Sequence, residues 1–370
     1  MNKNIDIDIV KKRLTEFDLE FEEVQLQNGY SAICLKRGGR LFGPFDNKTG
    51  ESILWMNDAF KTTTAFAAFL SAKEWNIGGD RLWIAPEMPF FVKNRNDFFE
   101  TYIVQEELDP GNYIIDKTDN IVTMKQDVSL NTFEVDCPKK ELRISKTIRI
   151  SSDPLLEFAC YPELVKEIDY CGFEQKIELT AIDNDKTLYL EAWLLTQINP
   201  AGKLIVPYTS NLEYVDYYEP LRSEMFSITS NHMEINVTGD ERYKIGFKAS
   251  QVTGKAGYIG YLSDGRSYLF IRTFANNPSN IYCSDPYDRP KQYGCSMFLY
   301  NDQGGQGGFA EFENSGATIS GDTGMKKSVD VINYYLYVGK EEKLNQIVHA
   351  LLGVNRTDCR KNENEVNCHE

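Results

Sequence analysis

Apolar and polar residues alternate along much of the chain, with the period of two that is typical of a strand with one buried and one wet face. The clearest example is the segment 142–150, in which Lys146 alone interrupts the apolar phase. The segment 333–338, which is rich in tyrosine, predicts a further strand near the end of the chain. The pattern therefore indicates a protein built mainly from β-strands.

Two pairs of alternating runs are separated by short polar segments, and such pairs predict β-hairpins. One hairpin is predicted to join strands at 176–182 and 187–193. The other is predicted to join strands at 258–262 and 268–274, where the segment 263–266 contains the Asp-Gly pair that favours a tight turn. Hairpins of this kind favour antiparallel sheets.

Helical signals are few. Apolar residues recur at helical spacing in the segment 344–352, and Gly353 ends the run, which predicts a short amphipathic helix. A second helix is predicted within 59–72, although the three threonines at 62–64 weaken that pattern. Many short strands with few helices between them favour an all-β antiparallel sandwich over a fold of alternating strands and helices.

No linker rich in proline, glycine or serine divides the chain, and no fixed-period repeat is visible. We therefore predict one domain that covers residues 1–370 and ends in a mobile tail at 355–370. The first residues lack the apolar core of a signal peptide, and no apolar run is long enough to span a bilayer. We accordingly expect a cytoplasmic protein, or a mature form whose leader has been removed.

Charge narrows the class of partner. Forty Lys and Arg residues against fifty-five Asp and Glu residues give a formal net charge of -15. This field repels phosphate backbones and anionic lipids, so we expect neither nucleic acid nor a membrane as a partner. A neutral or weakly cationic small molecule suits the field better.

Cysteine and histidine usage gives no support for a metal site. The eight cysteines are scattered without a CxxC pair, and we expect most of them to be buried thiols. Cys359, Cys368 and His369 lie in the tail, where a disulfide is the first alternative and a metal site the second. His232 is predicted to lie in a turn and His349 in the last helix. With three histidines and no GxSxG motif, nucleophilic hydrolysis is disfavoured.

The segment 74–87 is the densest group of candidate binding residues; it contains Trp75, Asn76, Asp80, Arg81, Trp83 and Glu87. Two adjacent glycines before Asp80 allow a sharp turn that confines Asp80 and Arg81. The guanidinium offers five donors to hydroxyls, and the indoles at 75 and 83 can stack on the apolar face of a sugar ring. The same residues also fit an Asp–Arg pair that braces a turn, with both indoles in the core.

Two later segments add further candidates. The run 191–202 reads as a strand that ends in an Asn-Pro-Ala-Gly turn, and Gln197 either reaches a cleft or caps the turn. In 309–316, alternation places Glu311 and Glu313 on one face of a strand. If the pair is buried, one pKa rises, which suits general-base chemistry; if it is exposed, the pair is a solvated face.

The glycine-rich segment 303–308 precedes a strand and lacks the Lys-Ser/Thr of a phosphate loop, so we predict neither a nucleotide site nor any other cofactor. It reads as a loop over a cleft or a long hairpin turn. Lys244, Lys248 and Arg272 lie on predicted strands, where each is a surface charge unless it points inward. Of these we include Lys248 and Arg272 among the candidate substrate-binding residues.

Together these segments resemble the galactose-mutarotase-like superfamily, and most closely its aldose-1-epimerase-like branches. The resemblance covers residues 30–353 and is carried by the segments 78–87, 196–202 and 311–313. It implies a large β-supersandwich whose concave sheet face binds a sugar. We expect the protein to be a monomer or a homodimer. The first of these segments is fairly specific, whereas the other two are weak alone.

The resemblance also implies site residues. Enzymes of this kind use a glutamate base and a histidine acid to open and reclose the sugar ring. By position the base falls on Glu313, or failing that on Glu311, and Arg81 contacts sugar hydroxyls. Asp80 stands where many relatives have histidine, and it serves as the acid only if burial raises its pKa, which Arg81 opposes. The candidate functions are an aldose 1-epimerase, a carbohydrate-binding protein without catalysis and, by analogy of fold alone, a polysaccharide lyase or glycosidase.

Overall fold

The computed structural model describes residues 5–133, 135–184 and 186–356 of the chain, so the tail residues Cys359, Cys368 and His369 lie outside it. Over the described residues the chain forms twenty strands. They are β1 (Phe21–Gln25), β2 (Ser31–Leu35), β3 (Arg40–Phe45), β4 (Asp80–Ala85), β5 (Ile114–Thr118), β6 (Ile121–Asn131), β7 (Lys139–Ile150), β8 (Asp169–Ala181), β9 (Tyr189–Ile198), β10 (Gly202–Pro207), β11 (Tyr214–Asp216), β12 (Phe226–Ile228), β13 (His232–Val237), β14 (Tyr243–Lys248), β15 (Lys255–Tyr261), β16 (Ser267–Phe274), β17 (Cys295–Asn301), β18 (Ala310–Ser315), β19 (Ile319–Ser320) and β20 (Lys327–Gly339).

Helices are short and stand between or after the strands. The α-helices are α1 (Ile7–Glu16), α2 (Thr63–Ser71), α3 (Glu87–Phe91), α4 (Phe98–Thr101), α5 (Tyr161–Leu164) and α6 (Glu341–Leu352). Single 3-10 turns occur at Gln27–Gly29, Arg37–Gly39, Asp58–Lys61, Arg95–Asp97, Pro154–Glu157, Ser223–Met225 and Gly321–Thr323. In the described part of the chain, no helix has the length and apolar character needed to cross a membrane.

The strands form two antiparallel sheets of ten strands each within the described residues. The first sheet has the order β1-β2-β3-β4-β9-β18-β17-β14-β11, and β19 pairs with β9 beside this path. The second has the order β12-β13-β10-β15-β16-β20-β8-β7-β6-β5. Apolar residues of both sheets form one core, for example Leu194 and Phe312 of the first and Ile144 and Leu336 of the second. The predicted all-β antiparallel sandwich with a few short helices is therefore confirmed.

The predicted helices occur close to their predicted positions. In α6, the apolar face formed by Leu344, Ile347 and Val348 packs with residues of the second sheet on the side away from the first. Gly353 ends this helix in the left-handed conformation, with φ of 72°, which glycine adopts at low cost. The threonine run that weakened the other helix in fact begins it, because the Thr62 side chain accepts a hydrogen bond from the Ala65 amide.

Two predictions about strands need correction. The runs at 176–182 and 187–193 form no hairpin, because β8 belongs to the second sheet and β9 to the first. The polar segment between them is a crossing between sheets, which local alternation cannot distinguish from a tight turn. His232 is not a turn residue; it is the buried first residue of β13. The other predicted hairpin is confirmed, since β15 and β16 pair directly.

A buried network of polar side chains joins the two sheets. Lys146, which interrupts the apolar phase of β7, points into the core and lies 2.6 Å from Oδ1 of Asp80 on β4. Gln175 also donates to Oδ1, and the hydroxyls of Thr196 and Tyr334 donate to Oδ2. The carboxylate is therefore satisfied from both sheets, and its partners fix how the sheets lie against each other.

We predict that Lys146→Met destabilises the fold by about 3 to 5 kcal/mol, because it leaves the buried Asp80 carboxylate without its counter-charge. Arg143→Met is the control: Arg143 lies on the same strand but forms an exposed pair with Asp127, so its loss should leave the free energy of unfolding nearly unchanged. Urea denaturation measures both. Equal small effects would contradict this role for the network, whereas partial rescue of Lys146→Met by Asp80→Asn would support it.

Candidate functional site

A cavity of about 390 Å³ lies on the face of the first sheet that points away from the second sheet. Strands β4, β9, β18, β17 and β14 form its floor, and α3, α4 and the segments around residues 218 and 306 form its walls. Its lining residues are Trp75, Arg81, Trp83, Glu87, Phe98, Phe99, Tyr102, Val104, Trp193, Leu195, Tyr218, Arg242, Lys244, Tyr300, Gln306, Glu311 and Glu313. The cavity thus combines a wall of aromatic rings with carboxylates and cations.

The pairing of the strands brings the charged residues together. Glu311 lies opposite Tyr300, which in turn lies opposite Lys244. In the next row on the same face, Arg81 and Glu313 flank Leu195. Because alternate residues share a face, residues distant in sequence form one continuous patch.

Glu313 is the most unusual group in the cavity. Its side chain is fully buried, and Oε2 accepts a hydrogen bond of 2.8 Å from the indole of Trp193. Oε1 has no hydrogen-bond partner among the described residues. Burial raises the pKa of Glu313 to about 7; Lys244 opposes this rise, and the carboxylates of Glu311 and Glu87 add to it. The candidate base therefore combines a raised pKa with one oxygen that forms no hydrogen bond within the described part of the chain.

Lys244 lies between two carboxylates. Its ammonium is 3.1 Å from Oε2 of Glu87 and 3.6 Å from Oε2 of Glu313. Burial alone would lower the pKa of Lys244, but Glu313 and Glu87 raise it above its ordinary value, so the group stays charged. Tyr218 donates a hydrogen bond of 3.4 Å to the other oxygen of Glu87. Lys244 thus supplies a fixed positive charge beside the candidate base.

Arg81 is held between aromatic rings and a carboxylate. Its Nη1 atom lies 2.5 Å from Oε1 of Glu311, and its guanidinium carbon lies 4.2 Å from the ring centroid of Trp83 and 5.0 Å from that of Trp75. The indole of Trp83 donates to Asp109, which fixes the ring. Because Arg81 already covers these two rings, the indoles that are free to meet a ligand are fewer than the sequence suggests.

Two adjacent glycines allow β4 to begin where it does. Gly78 and Gly79 have φ of 104° and 77°, and a Cβ atom on Gly79 would lie 2.4 Å from the carbonyl oxygen of Leu41. Only glycine fits so close to β3. The predicted sharp turn before Asp80 and Arg81 is therefore present.

Asn76 and Gln197 lie beside the cavity rather than in its lining. The Gln197 amide donates to Oδ1 of Asn76 at 2.9 Å and to Oε1 of Glu311 at 3.1 Å. Asn76 in turn donates to the backbone carbonyl of Gln306. These two predicted binding residues orient the lining instead of forming it.

Three predicted site residues, contrary to expectation, lie outside the cavity. Asp80 faces the opposite side of β4 from Arg81; although its burial would raise the pKa, Lys146 and Arg272 hold that pKa below its ordinary value, the reverse of what an acid at this position needs. Arg272 is buried between the sheets, where it donates to the carbonyl of Phe312. Lys248 follows a bulge in β14 and pairs with Glu213 at the surface.

Sequence reasoning missed six further lining residues, namely Phe98, Phe99, Tyr102, Tyr218, Arg242 and Tyr300. It also treated Lys244 as a surface charge by default. One local signal was available: Lys244 alternates with Tyr243, Ile245 and Phe247, so it occupies the face of β14 opposite to a strongly apolar one. Which residues lie against the Lys244 face of β14 depends on the pairing of strands that are distant in sequence.

A larger cleft of about 970 Å³ lies between the second sheet and α6. Its principal charged groups neutralise one another, since Arg356 lies 2.7 Å from Oε1 of Glu234. Tyr261 is its only aromatic residue within the described part of the chain. The smaller cavity therefore carries the candidate chemistry.

We predict that Glu313→Gln stabilises the fold at pH 8. The unfolded carboxyl ionises near pH 4.5 and the native one near pH 7, so the native state binds more protons between these values and wild-type stability falls as pH rises through that window. Removing the charge should recover about 1 to 3 kcal/mol at pH 8 and almost nothing at pH 4. Urea denaturation at both pH values measures the difference.

Glu178→Gln is a control of opposite sign, because Lys176 and Lys327 lower the pKa of Glu178 to about 2. Its loss should weaken the fold at pH 8 and not at pH 2. A Glu313→Gln variant that is less stable than wild type at pH 8 would contradict the raised pKa.

Solved structures with a related arrangement share little sequence with the chain. One, from Klebsiella pneumoniae subsp. pneumoniae MGH 78578 and described as a putative aldose 1-epimerase, has 8% identity and a TM-score of 0.47, and the match covers 92% of this chain and 90% of that one. Another, 4-alpha-glucanotransferase from Thermococcus litoralis, has 10% identity and a TM-score of 0.33, covering 85% of this chain and 39% of that one. Identities and TM-scores this low carry no information about function.

No curated protein sequence matches the chain. The model of a family of unknown function, DUF6786, matches residues 19–363, which is nearly the whole length. The chain therefore belongs to the family DUF6786.

Proposed function

We propose that the cavity binds a neutral saccharide and that Glu313 acts as the general base in the interconversion of its anomers, as in aldose 1-epimerases. The observation that carries the proposal is the buried Glu313 carboxylate, whose pKa is raised to about 7 and whose Oε1 atom has no partner among the described residues. A base poised near neutral pH at the floor of a small cavity is suited to taking a proton from a hydroxyl.

The charges and aromatic rings that line the cavity favour a neutral saccharide over an anion as its ligand. Three carboxylates, Glu87, Glu311 and Glu313, face three cations, Arg81, Arg242 and Lys244. This balance leaves little net charge to attract a phosphate, whereas paired donors and acceptors beside aromatic rings suit the hydroxyls and C–H faces of a sugar. The volume of about 390 Å³ is near the lower end of the range for small-molecule sites.

The proposed reaction needs a proton acceptor and a donor. Oε1 of Glu313 takes the proton of the anomeric hydroxyl, the C1–O bond of the ring breaks as a carbonyl forms at C1, and the ring oxygen receives a proton. Lys244 is the donor for the ring oxygen, because its ammonium is charged and lies beside the base. Rotation about the next bond and the reverse steps reclose the ring on the other face and return both protons.

A second candidate is a saccharide-binding protein without catalysis. It is favoured by a specific observation: neither His232 on β13 nor His349 on α6 lines the cavity, and the pKa of Lys244 is raised, which makes its ammonium a weak acid. The resemblance to the galactose-mutarotase-like superfamily implies a histidine acid, which no described residue of the cavity supplies. The two candidates differ only in turnover.

Polarimetry with freshly dissolved α-glucose and α-galactose tests the proposal. Wild-type protein should accelerate mutarotation, with a rate that rises with pH through about 7 as Glu313 loses its proton. Glu313→Gln should lower the rate by about 100-fold or more, which is the usual contribution of a general base. Lys248→Met, whose side chain lies outside the cavity, should leave it unchanged. The 6-phosphates of both sugars should be poorer substrates than the neutral sugars.

The outcomes separate the two candidates. Acceleration that survives in Glu313→Gln would contradict the assignment of the base. Saturable sugar binding in wild-type protein without acceleration at any pH would favour the binding protein. Failure to bind either sugar or a disaccharide would refute both.

A further inference from the structure

We propose that the cavity has a second saccharide subsite at its mouth, formed by Phe99, Arg242 and Gln306, so that the preferred ligand is a disaccharide or longer chain with its reducing end at Glu313. These three residues are called the rim below. The inference rests on the proposed function, because it extends the saccharide bound at Glu313 outward.

Exposure separates the floor of the cavity from the rim. Glu313 and Lys244 are buried, whereas Phe99 keeps 42% of its surface exposed and the Arg242 side chain 32%. Gln306 is also exposed. All three nevertheless line the same cavity as Glu313. A saccharide that is longer than one ring and bound with its first ring at the floor would therefore extend outward past the rim.

Phe99 is a large apolar side chain left in contact with water at this position. Its ring is held by neighbours, with centroid distances of 4.9 Å to Phe98, 5.5 Å to Tyr218 and 6.1 Å to Tyr287. The ring thus has a defined orientation before any ligand arrives. Arg242 lies over this ring as Arg81 lies over Trp83, so the part of Phe99 that can pack against the C–H face of a sugar is the surface that stays exposed.

Arg242 and Gln306 supply polar groups beside that ring. The guanidinium carbon of Arg242 lies 4.0 Å from the centroid of Phe99, and its buried Nε atom has no hydrogen-bond partner among the described residues. Gln306 lies in the glycine-rich loop, which is ordered because Oδ2 of Asp302 accepts hydrogen bonds from the amides of residues 304, 306 and 308. The Nε atom itself is buried, so the donors offered to hydroxyls of a second ring are the exposed Gln306 side chain and the partly exposed end of the Arg242 guanidinium.

Charge around the rim argues against an anionic group at this position. Arg242 lies 3.4 Å from the carboxylate of Glu219, and nearby Glu241 pairs with Arg222. The chain as a whole carries a formal charge of -15. An uncharged ring avoids repulsion from these carboxylates, whereas a phosphate or uronate does not.

Calorimetric titration with two sugar sets, glucose with cellobiose, maltose or lactose and galactose with galactobiose, tests the subsite, because each disaccharide has its paired monosaccharide at the reducing end. At least one disaccharide should bind wild-type protein about fivefold or more tighter than its monosaccharide, as expected for one added stacking contact. Phe99→Ala should abolish this gain, so that a disaccharide and its monosaccharide bind the variant with affinities within about twofold of each other. Phe99→Trp should retain the gain, which shows that the variant site is folded. Tyr261→Ala, an exposed aromatic residue outside this cavity, is the matched control and should change neither.

The results distinguish failure of the second subsite from failure of the proposed function. If monosaccharides bind but no disaccharide binds more tightly, the subsite is overturned and the proposed function stands. The same holds if Phe99→Ala weakens both classes of sugar equally. If no sugar binds at all, the proposed function fails and the subsite fails with it.

Discussion

Adjacent residues of a strand point to opposite faces of its sheet, and the site depends on how β4 uses that constraint. Asp80 points into the core, where Lys146 and residues of both sheets hold its carboxylate. Arg81, the next residue, points into the cavity and meets Glu311. A shift of one residue in the pairing of β4 with β9 would turn Asp80 toward the cavity and Arg81 toward the core. The sheets would then lose the contacts that join them through Asp80, and the cavity would lose the guanidinium of Arg81. Stability and candidate chemistry are therefore set by the same register.

Burial has different consequences for two carboxylates, that of Asp80 in the core and that of Glu313 in the cavity. In the core network, the surrounding donors compensate the charge of the Asp80 carboxylate. Burial would raise the pKa of Asp80, but Lys146 and Arg272 hold it below its ordinary value. In the cavity, Glu313 is buried, one of its oxygens has no hydrogen-bond partner among the described residues, and its pKa is raised to about 7, so its ionised form destabilises the fold. A carboxylate that weakens the native state yet is enclosed by Trp193, Lys244 and a wall of aromatic rings is more readily understood as part of a binding or catalytic site than as a structural element.

The sequence predicted the fold class, the late hairpin and α6 well, because all three rest on local periodicity and turn chemistry. It also placed Glu311 and Glu313 on one face, since alternation within a strand is local. It mistook the crossing between β8 and β9 for a hairpin, because the sheet to which a strand belongs is decided by contacts distant in sequence. For the same reason Lys146 looked like an interruption rather than the partner of Asp80. The aromatic lining of the cavity was not predicted from the sequence, because Phe99, Tyr218 and Tyr300 come from separate segments that only the folded chain brings together.

The central claim is that Glu313 is an ionisable base in contact with a bound saccharide. Carbon-13 NMR of side-chain carboxyls, titrated from pH 4 to pH 9 with and without saturating glucose or cellobiose, tests it most directly. The account predicts one carboxyl that titrates near pH 7, is missing from Glu313→Gln and changes its apparent pKa when the sugar is bound. A Glu313 carboxyl that titrates below pH 5, or one that titrates identically with and without bound sugar, would contradict it.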